Sequence, residues 1–190
     1  MRGKFVMIVG PTGSGKGTLL AHLREVMPWV VFPISCTTRP PRPGEQEGVT
    51  YHFLTDDVFQ QKAMNGEFLE WVYTDGKRYG TLKSEILPAL EAGQTVIREV
   101  DIKGVEKIRK LLPPENVRTI FIDAGEWDNL SARILARAPL DEVEMESRHR
   151  RYTEEQSFKE QADAVVANPE GQVEEAKKEF VRVIQQFSKE

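Results

Sequence analysis

The stretch MIVGPTGSGKGTLL, residues 7–20, sets four glycines within eight positions directly behind an apolar run, with one lysine among them. Glycine loses more conformational freedom on ordering than any other residue. Such a cluster therefore marks backbone that needs positive φ or close approach by another group. Gly10, Gly15 and Lys16 fit the first seven positions of G-x-x-x-x-G-K-[ST], with an apolar strand before them and an amphipathic helix after. Glycines at this spacing let successive backbone N–H groups converge on phosphate oxygens. The helix N-terminus adds its positive dipole end, and Lys16 adds a point charge. The phosphates of a nucleoside triphosphate are the expected occupant of the loop formed by Gly10, Pro11, Thr12, Gly13, Ser14, Gly15, Lys16, Gly17 and Thr18. The eighth position holds Gly17, and the hydroxyl arrives one place later at Thr18.

Outward from this loop, short apolar runs alternate with longer helical patterns, the sign of an α/β fold with a parallel sheet. KFVMIV (4–9), TVIREV (95–100), RTIFI (118–122) and DAVVA (163–167) read as strands buried for the most part on both faces, and VVFPIS (30–35) as a weaker fifth. Helical spacing covers 15–27, 103–112, 126–137 and 170–188. From about 36 to 85 the rhythm breaks. Clustered Pro and Gly precede TYHFLT and EFLEWVY, which read as short antiparallel strands, with a short helix opened by Asp56-Asp57 and ending near Asn65-Gly66. The expected organisation is a P-loop sheet core flanked by helices (1–35, 83–136 and 161–190). Into it are set a small α+β lobe (36–82) and a charged helical lid (137–160).

Composition narrows the partners. A net charge of −4 over 190 residues supplies no global positive field to steer a nucleic acid. The lone cysteine, Cys36, makes no internal disulfide and fits a reducing compartment. The apolar run behind Arg2 and Lys4 stops at Gly10-Pro11, too short for a signal-peptide core, and nothing approaches a membrane span. A cytoplasmic protein is the default expectation.

A phosphate-cradling loop names a donor and not an acceptor. SCTTRPPRPGEQEGVTYHF (35–53) sets Arg39 and Arg42 three apart in a proline-stiffened loop, with Tyr51 following. Two guanidiniums and a phenol hold a phosphate monoester through forked, charge-assisted hydrogen bonds; the bland reading is a basic surface loop. FLEWVYTDGKRYGT (68–81) carries Glu70 on an apolar strand and Tyr79, Gly80 and Thr81 at a turn. By alternation Glu70 faces solvent; otherwise it accepts the N1–H and N2–H donors of a guanine.

The motifs GPTGSGKGT, SCTTRPPRPGE, GVTYHF, GEFLEW, YGT and EVDIKG occur in this order, and together they resemble the guanylate kinase family through most of the chain. The resemblance implies ATP and GMP as substrates, Mg²⁺ as cofactor and a monomer or homodimer. It implies that Ser35, Glu70 and Thr81 read the guanine, with Asp101 at its amino group. Arg39, Arg42, Tyr51 and Tyr79 would hold the GMP phosphate. Arg133, Arg137 and Arg148 would reach ATP and the phosphoryl in transfer, with Lys16, Arg42, Arg137 and Arg148 as the catalytic set. Asn168 would lie beside the adenine, and Thr18 and Glu99 near the metal, Glu99 through water. No general base is called for, and His22, His52 and His149 sit in no such constellation.

The chain departs from the family pattern at several positions. Ala136-Arg137-Ala138-Pro139 replaces the usual R-G-R-G of the lid, which predicts a stiffer hinge and slower closure. Arg78 precedes Tyr79 where a second tyrosine is common, Lys103 replaces a neutral residue, and Pro169 follows Asn168 in place of aspartate. Arg98 interrupts an otherwise apolar strand. Two other readings compete: a kinase of the same architecture acting on a different phosphate monoester, and a catalytically idle phosphopeptide-binding module. The intact Gly10, Gly15 and Lys16 count against the second.

Overall fold

The structure is a computed structural model that describes residues 3–74, 76–137 and 140–190, with only the backbone of Arg137 included. The expected role of the Arg137 side chain, and the hinge positions Ala138 and Pro139, lie outside the described residues.

Strand β1 (Lys4–Val9) is buried along its whole length, because its two faces feed two different cores. Val6 and Ile8 pack with Leu19 and Leu23 of helix α1 (Lys16–Val26) and with Phe180, Val183 and Ile184 of helix α7 (Val173–Phe187). Phe5, Met7 and Val9 point the other way, toward Ile86 and Leu90 of helix α3 (Lys83–Glu91) and Val105 and Ile108 of helix α4 (Ile102–Leu111). Side chains alternate along a strand, so a strand between two helical layers must be apolar at both parities. The neighbouring strand β7 (Val117–Asp123) repeats the rule, with Ile120 and Ile122 in the first core and Val117 and Phe121 in the second.

The sheet runs β6 (Thr95–Glu99), β1, β7, β8 (Ala164–Ala167), all parallel, as the alternating pattern predicts. The expected fifth strand reduces to a single bridge, Val31 to Val96, held by two backbone hydrogen bonds of 2.9 Å. Pro33 lacks the N–H that would extend the ladder.

Residues 36–82 form a second sheet, ordered β3 (His52–Phe53), β2 (Cys36–Thr37), β5 (Lys77–Leu82), β4 (Phe68–Thr74). Two details differ from expectation. Strands β2 and β3 pair in parallel, and Tyr79, Gly80 and Thr81 lie inside β5 rather than at a turn. Gly80 is the reason that strand was hidden. A Cβ there would stand 2.9 Å from both Phe68 Cδ1 and Trp71 Cβ, so the residue serves close packing and not a turn. Helix α2 (Asp56–Met64) starts under a Thr55 cap, whose Oγ1 accepts from the Val58 N–H, and stops at Asn65-Gly66 as expected. Helix α3 was not expected, because Pro88 lies inside it; burial of Ile86, Ala89 and Leu90 holds it in place.

Helix α5 (Trp127–Arg137) leads to helix α6 (Glu142–Gln156), which carries no buried residue, in keeping with its charge. It leans on the core through rings: His149 stacks on Trp127 at 4.6 Å between centroids, and the Tyr152 hydroxyl donates to the Gly125 carbonyl at 3.0 Å. Among the described residues no helix is long and apolar enough to cross a membrane.

Candidate active site

The strands β1, β6 and β7 end on the same edge, where α/β sheets bind ligands, and deliver Gly10, Glu99 and Asp123 there. The loop after β1 bends through Gly10 (φ 141°), Gly13 (φ 88°) and Gly15 (φ 92°). Close approach as well as backbone angle requires two of these. A Cβ at Gly10 would lie 2.6 Å from the Ile122 carbonyl oxygen, and one at Gly15 would lie 2.3 Å from Asn168 Nδ2.

Lys16 is buried and folds back across the loop. Its Nζ donates to the carbonyls of Gly10 at 2.5 Å and Pro11 at 3.0 Å, and stands 3.4 Å from Glu99 Oε1. This leaves an ammonium at the loop's centre, in position to trade carbonyl partners for phosphate oxygens. A cleft of about 1170 Å³ opens beside it, lined by Thr12, Gly13, Gly15, Gly17, Thr18, Glu99, Arg133 and Asn168. Ser14 is fully buried and stays out of that cleft. Asn168 does more than line it: its Nδ2 donates to the Ser14 carbonyl, and its own carbonyl accepts from Arg133 Nη1 at 3.0 Å.

A second cleft, of about 530 Å³, meets the loop at Gly10, Thr12 and Lys16, takes in Glu99 from the end of β6, and brings Ser35, Tyr51, Glu70, Tyr79 and Asp101 to face them. Glu70 does not face solvent. It is 8% exposed, because a register shift between Phe68 and Glu70 turns it inward. Thr81 Oγ1 donates to Glu70 Oε1 at 3.1 Å, and Arg98 Nη1 lies 2.8 Å from the same oxygen. Thr81 is wholly buried, so its described partner is the carboxylate itself. Asp101 both lines this cleft and caps α4, its Oδ1 accepting from the Gly104 N–H at 2.6 Å.

A guanylate kinase family profile matches residues 2–187 of this chain. The chain belongs to the guanylate kinase family. It is 43% identical over 143 residues to the guanylate kinase of Tropheryma whipplei (strain Twist), spanning 75% of this chain and 73% of that relative. It is 38% identical over 167 residues to the guanylate kinase of Synechococcus sp. (strain JA-3-3Ab), spanning 88% of this chain and 76% of the relative. The crystal structure of guanylate kinase from Anaplasma phagocytophilum superposes with a TM-score of 0.74 at 22% identity, over 99% of this chain and 87% of that one. At that identity the superposition speaks for the fold alone. As a member of the guanylate kinase family, the chain is a nucleotide-binding transferase of the kinase class.

Within this guanylate kinase fold, Arg39 and Arg42 lie outside the second cleft. Glu45 explains where they are instead: its Oε1 accepts from Arg39 Nη2 at 2.8 Å and its Oε2 from the Arg42 N–H at 2.7 Å. The Arg39 side chain, followed by the Arg42 N–H, holds the Glu45 carboxyl below its ordinary range. Tyr51 links the two regions, with the Arg39 guanidinium 5.7 Å from its ring centroid and Tyr79 edge-on at 6.2 Å. Arg148 lies with Pro11 and Thr12 around a narrow crevice that shares Thr12 and Glu155 with the second cleft, its Nη2 donating to Glu144 at 3.2 Å.

Two cleft residues were absent from the expected site. Glu155 on α6 faces the loop and the second cleft; burial first, then repulsion by Asp101 and Glu99, pushes its carboxyl up against the pull of Lys16 and Arg151. No sequence motif signals it. Arg98 was visible only as a charge in an apolar strand, and its partner Glu70 lies on the other sheet. Cys36 is a packing residue as expected: it is fully buried, and burial pushes its thiol up to about 11.

No group of three or more His, Cys, Asp or Glu side chains fit to hold a metal occurs among the described residues. Mg²⁺ bound with substrate phosphates keeps several waters and needs only one or two protein ligands. Thr18 and the half-exposed Glu99 line the cleft where those phosphates would lie.

Proposed function

We propose that the chain transfers the γ-phosphoryl group of ATP to GMP, giving ADP and GDP. The observation that carries this reading is the buried Glu70 carboxylate facing the same cleft as Lys16. A carboxylate across from a phosphate-binding loop repels phosphate, and with Thr81 and Arg98 both on Oε1 its other oxygen suits a base with N–H donors on its edge. Guanine offers N1–H and N2–H; adenine offers neither.

On this reading residues 36–82 are the GMP-binding lobe, 137–160 the lid, and the rest the P-loop core. Residues Gly10 to Thr18 cradle the ATP phosphates, with Arg133 and Asn168 on the same side. Ser35, Glu70, Thr81 and Asp101 read the guanine, Thr81 by orienting Glu70. Arg39, Arg42, Tyr51 and Tyr79 hold the GMP phosphate, which requires Arg39 to leave Glu45 when the anion arrives. A phosphate monoester oxygen is already a competent nucleophile near pH 7, its second pKa being about 6, so the chain needs no general base. Lys16, Arg42, Arg137 and Arg148 stabilise charge spread over the oxygens in transfer, and alignment supplies much of the remaining rate. Thr18 and, through water, Glu99 would hold Mg²⁺, which would supply charge neutralisation on the triphosphate. Monomer and homodimer both fit this chemistry.

Chromatographic identification of products after incubation with ATP and each of GMP, AMP, CMP, UMP and ribose 5-phosphate tests the proposal. ADP and GDP in equal amounts, from GMP alone, is the expected result. Equal consumption of a ribose phosphate would overturn it.

A further inference from the structure

Arg98 follows the buried run 95–97 on β6 and precedes the exposed Glu99. Its side chain is 13% exposed and that of Glu70 is 5% exposed, with Nη1 to Oε1 at 2.8 Å. Burial pulls the Arg98 guanidinium below its ordinary value, against the opposing fields of Glu70, Tyr51, Cys36 and Asp101. Such a pair is a poor device for stability, because apolar residues of similar volume often hold a core as well or better. Its geometry shows what else it offers. Although Nη1 is close to Glu70, it makes no aligned hydrogen bond among the described residues, so its N–H remains to be spent. Both described contacts to Glu70, from Thr81 and from Arg98, fall on Oε1. The other carboxylate oxygen is left for a ligand, next to a guanidinium whose donors have no acceptor role to confuse them.

We propose that Arg98 is a specificity-determining residue of the acceptor cleft, donating to the 6-oxo group of a purine while Glu70 accepts from its N1–H. This rests on the reading of the cleft as a GMP site. The edge of a 6-oxopurine presents an acceptor at O6 and a donor at N1, matching guanidinium and carboxylate in turn. A 6-aminopurine presents the reverse order, a donor toward Arg98 and a bare N1 lone pair toward Glu70. Both contacts then set like against like. A carboxylate alone would penalise adenine once; the pair penalises it twice.

The test uses the full chain with Arg98→Met and Arg98→Lys, assayed with ATP and with GMP, inosine monophosphate (which shares O6 and N1–H) or AMP as acceptor. Expected is a fall in kcat/KM of about 10- to 100-fold for both 6-oxopurine nucleotides in Arg98→Met, the range for a lost hydrogen bond between charged or polar partners. The loss should sit mainly in their KM, with partial recovery in Arg98→Lys, an unchanged KM for ATP, and a smaller preference for GMP over AMP. Arg98→Lys keeps the cation, so it reports even where Arg98→Met unfolds. An unchanged GMP-to-AMP ratio in both variants, or an equal rise in KM for ATP and GMP, would overturn the proposal. If the parent chain phosphorylates GMP and the variants keep its selectivity, only the role of Arg98 fails. If the parent phosphorylates no 6-oxopurine nucleotide, the functional reading fails with it.

Discussion

The side-chain amide of Asn168 donates to the Ser14 carbonyl at 2.7 Å, joining residues 154 positions apart and clamping the glycine loop to the end of β8. Asn168 is itself fixed by its backbone, the N–H donating to the Asp123 carbonyl at 2.7 Å and the carbonyl accepting from Arg133. Asn168→Ala leaves a buried carbonyl without its donor, which costs about 1–3 kcal/mol. We expect a matching loss in chemical denaturation and a higher KM for ATP, with the KM for GMP nearly unchanged.

The glycines of the loop divide by what surrounds them. Gly10→Ala drives a Cβ to 2.6 Å from the Ile122 carbonyl at a φ of 141°, so unfolding free energy should drop by at least about 2 kcal/mol. Gly17 lies in the first turn of α1, and nothing stands within 4 Å of a Cβ built there. Gly17→Ala should therefore stabilise the chain by about 0.4–1 kcal/mol, because alanine loses less backbone entropy on folding. Denaturation of the two variants in parallel checks both signs.

Two carboxyls should give opposite pH signatures. Burial would raise Asp123, but Lys159 at 2.5 Å and the Gly125 N–H outweigh it and hold the carboxyl below its ordinary value. Its contribution to stability is present above the unfolded value near 3.9 and fades as pH falls through the lower folded value. Glu155 is raised, so its contribution is complete below the unfolded value near 4.3 and is lost as pH rises through the folded value. Thermal unfolding from pH 3 to pH 8 should show Asp123→Asn losing stability at the upper end of this range. Glu155→Gln should gain stability there. The same sign of change in both variants at pH 8 would contradict the assignment.

Cys36 offers a probe that needs no mutation. With its thiol pushed up to about 11, only about one molecule in a thousand carries the thiolate at pH 8, before burial limits access further. Titration with a disulfide reagent should find no fast-reacting thiol in the folded chain and one per chain in denaturant.

The parallel sheet was legible because β1 and β7 are apolar at both parities, a pattern that only a strand between two layers requires. Helix α3 was not, since Pro88 breaks the local rule and the helix survives through Ile86 and Leu90, which tertiary contact alone buries. Strand β5 was masked by Gly80, whose turn-like character answers instead to Phe68 and Trp71. At the candidate site, the bend of the glycine loop was legible at Gly10 and Gly15, because positive φ and close approach there follow from local spacing. The partners of Glu70 could not. Thr81 meets it through a two-stranded pairing with a register shift, and Arg98 reaches it from a different sheet. Glu45 was hidden for another reason: a carboxylate inside a basic loop reads as solubility until the structure shows it holding Arg39.

The central claim is that the carboxylate at position 70 selects the acceptor base, and the most direct measurement is kcat/KM for GMP and for AMP in the parent chain and in Glu70→Gln. A site that hydrogen-bonds its substrate in this way rejects an analogue lacking the donors by about 10⁴ or more. We expect that ratio in the parent and a collapse of at least about a hundredfold in the variant, carried by GMP, with the KM for ATP unchanged. A variant that keeps the parent's preference for GMP would contradict the account.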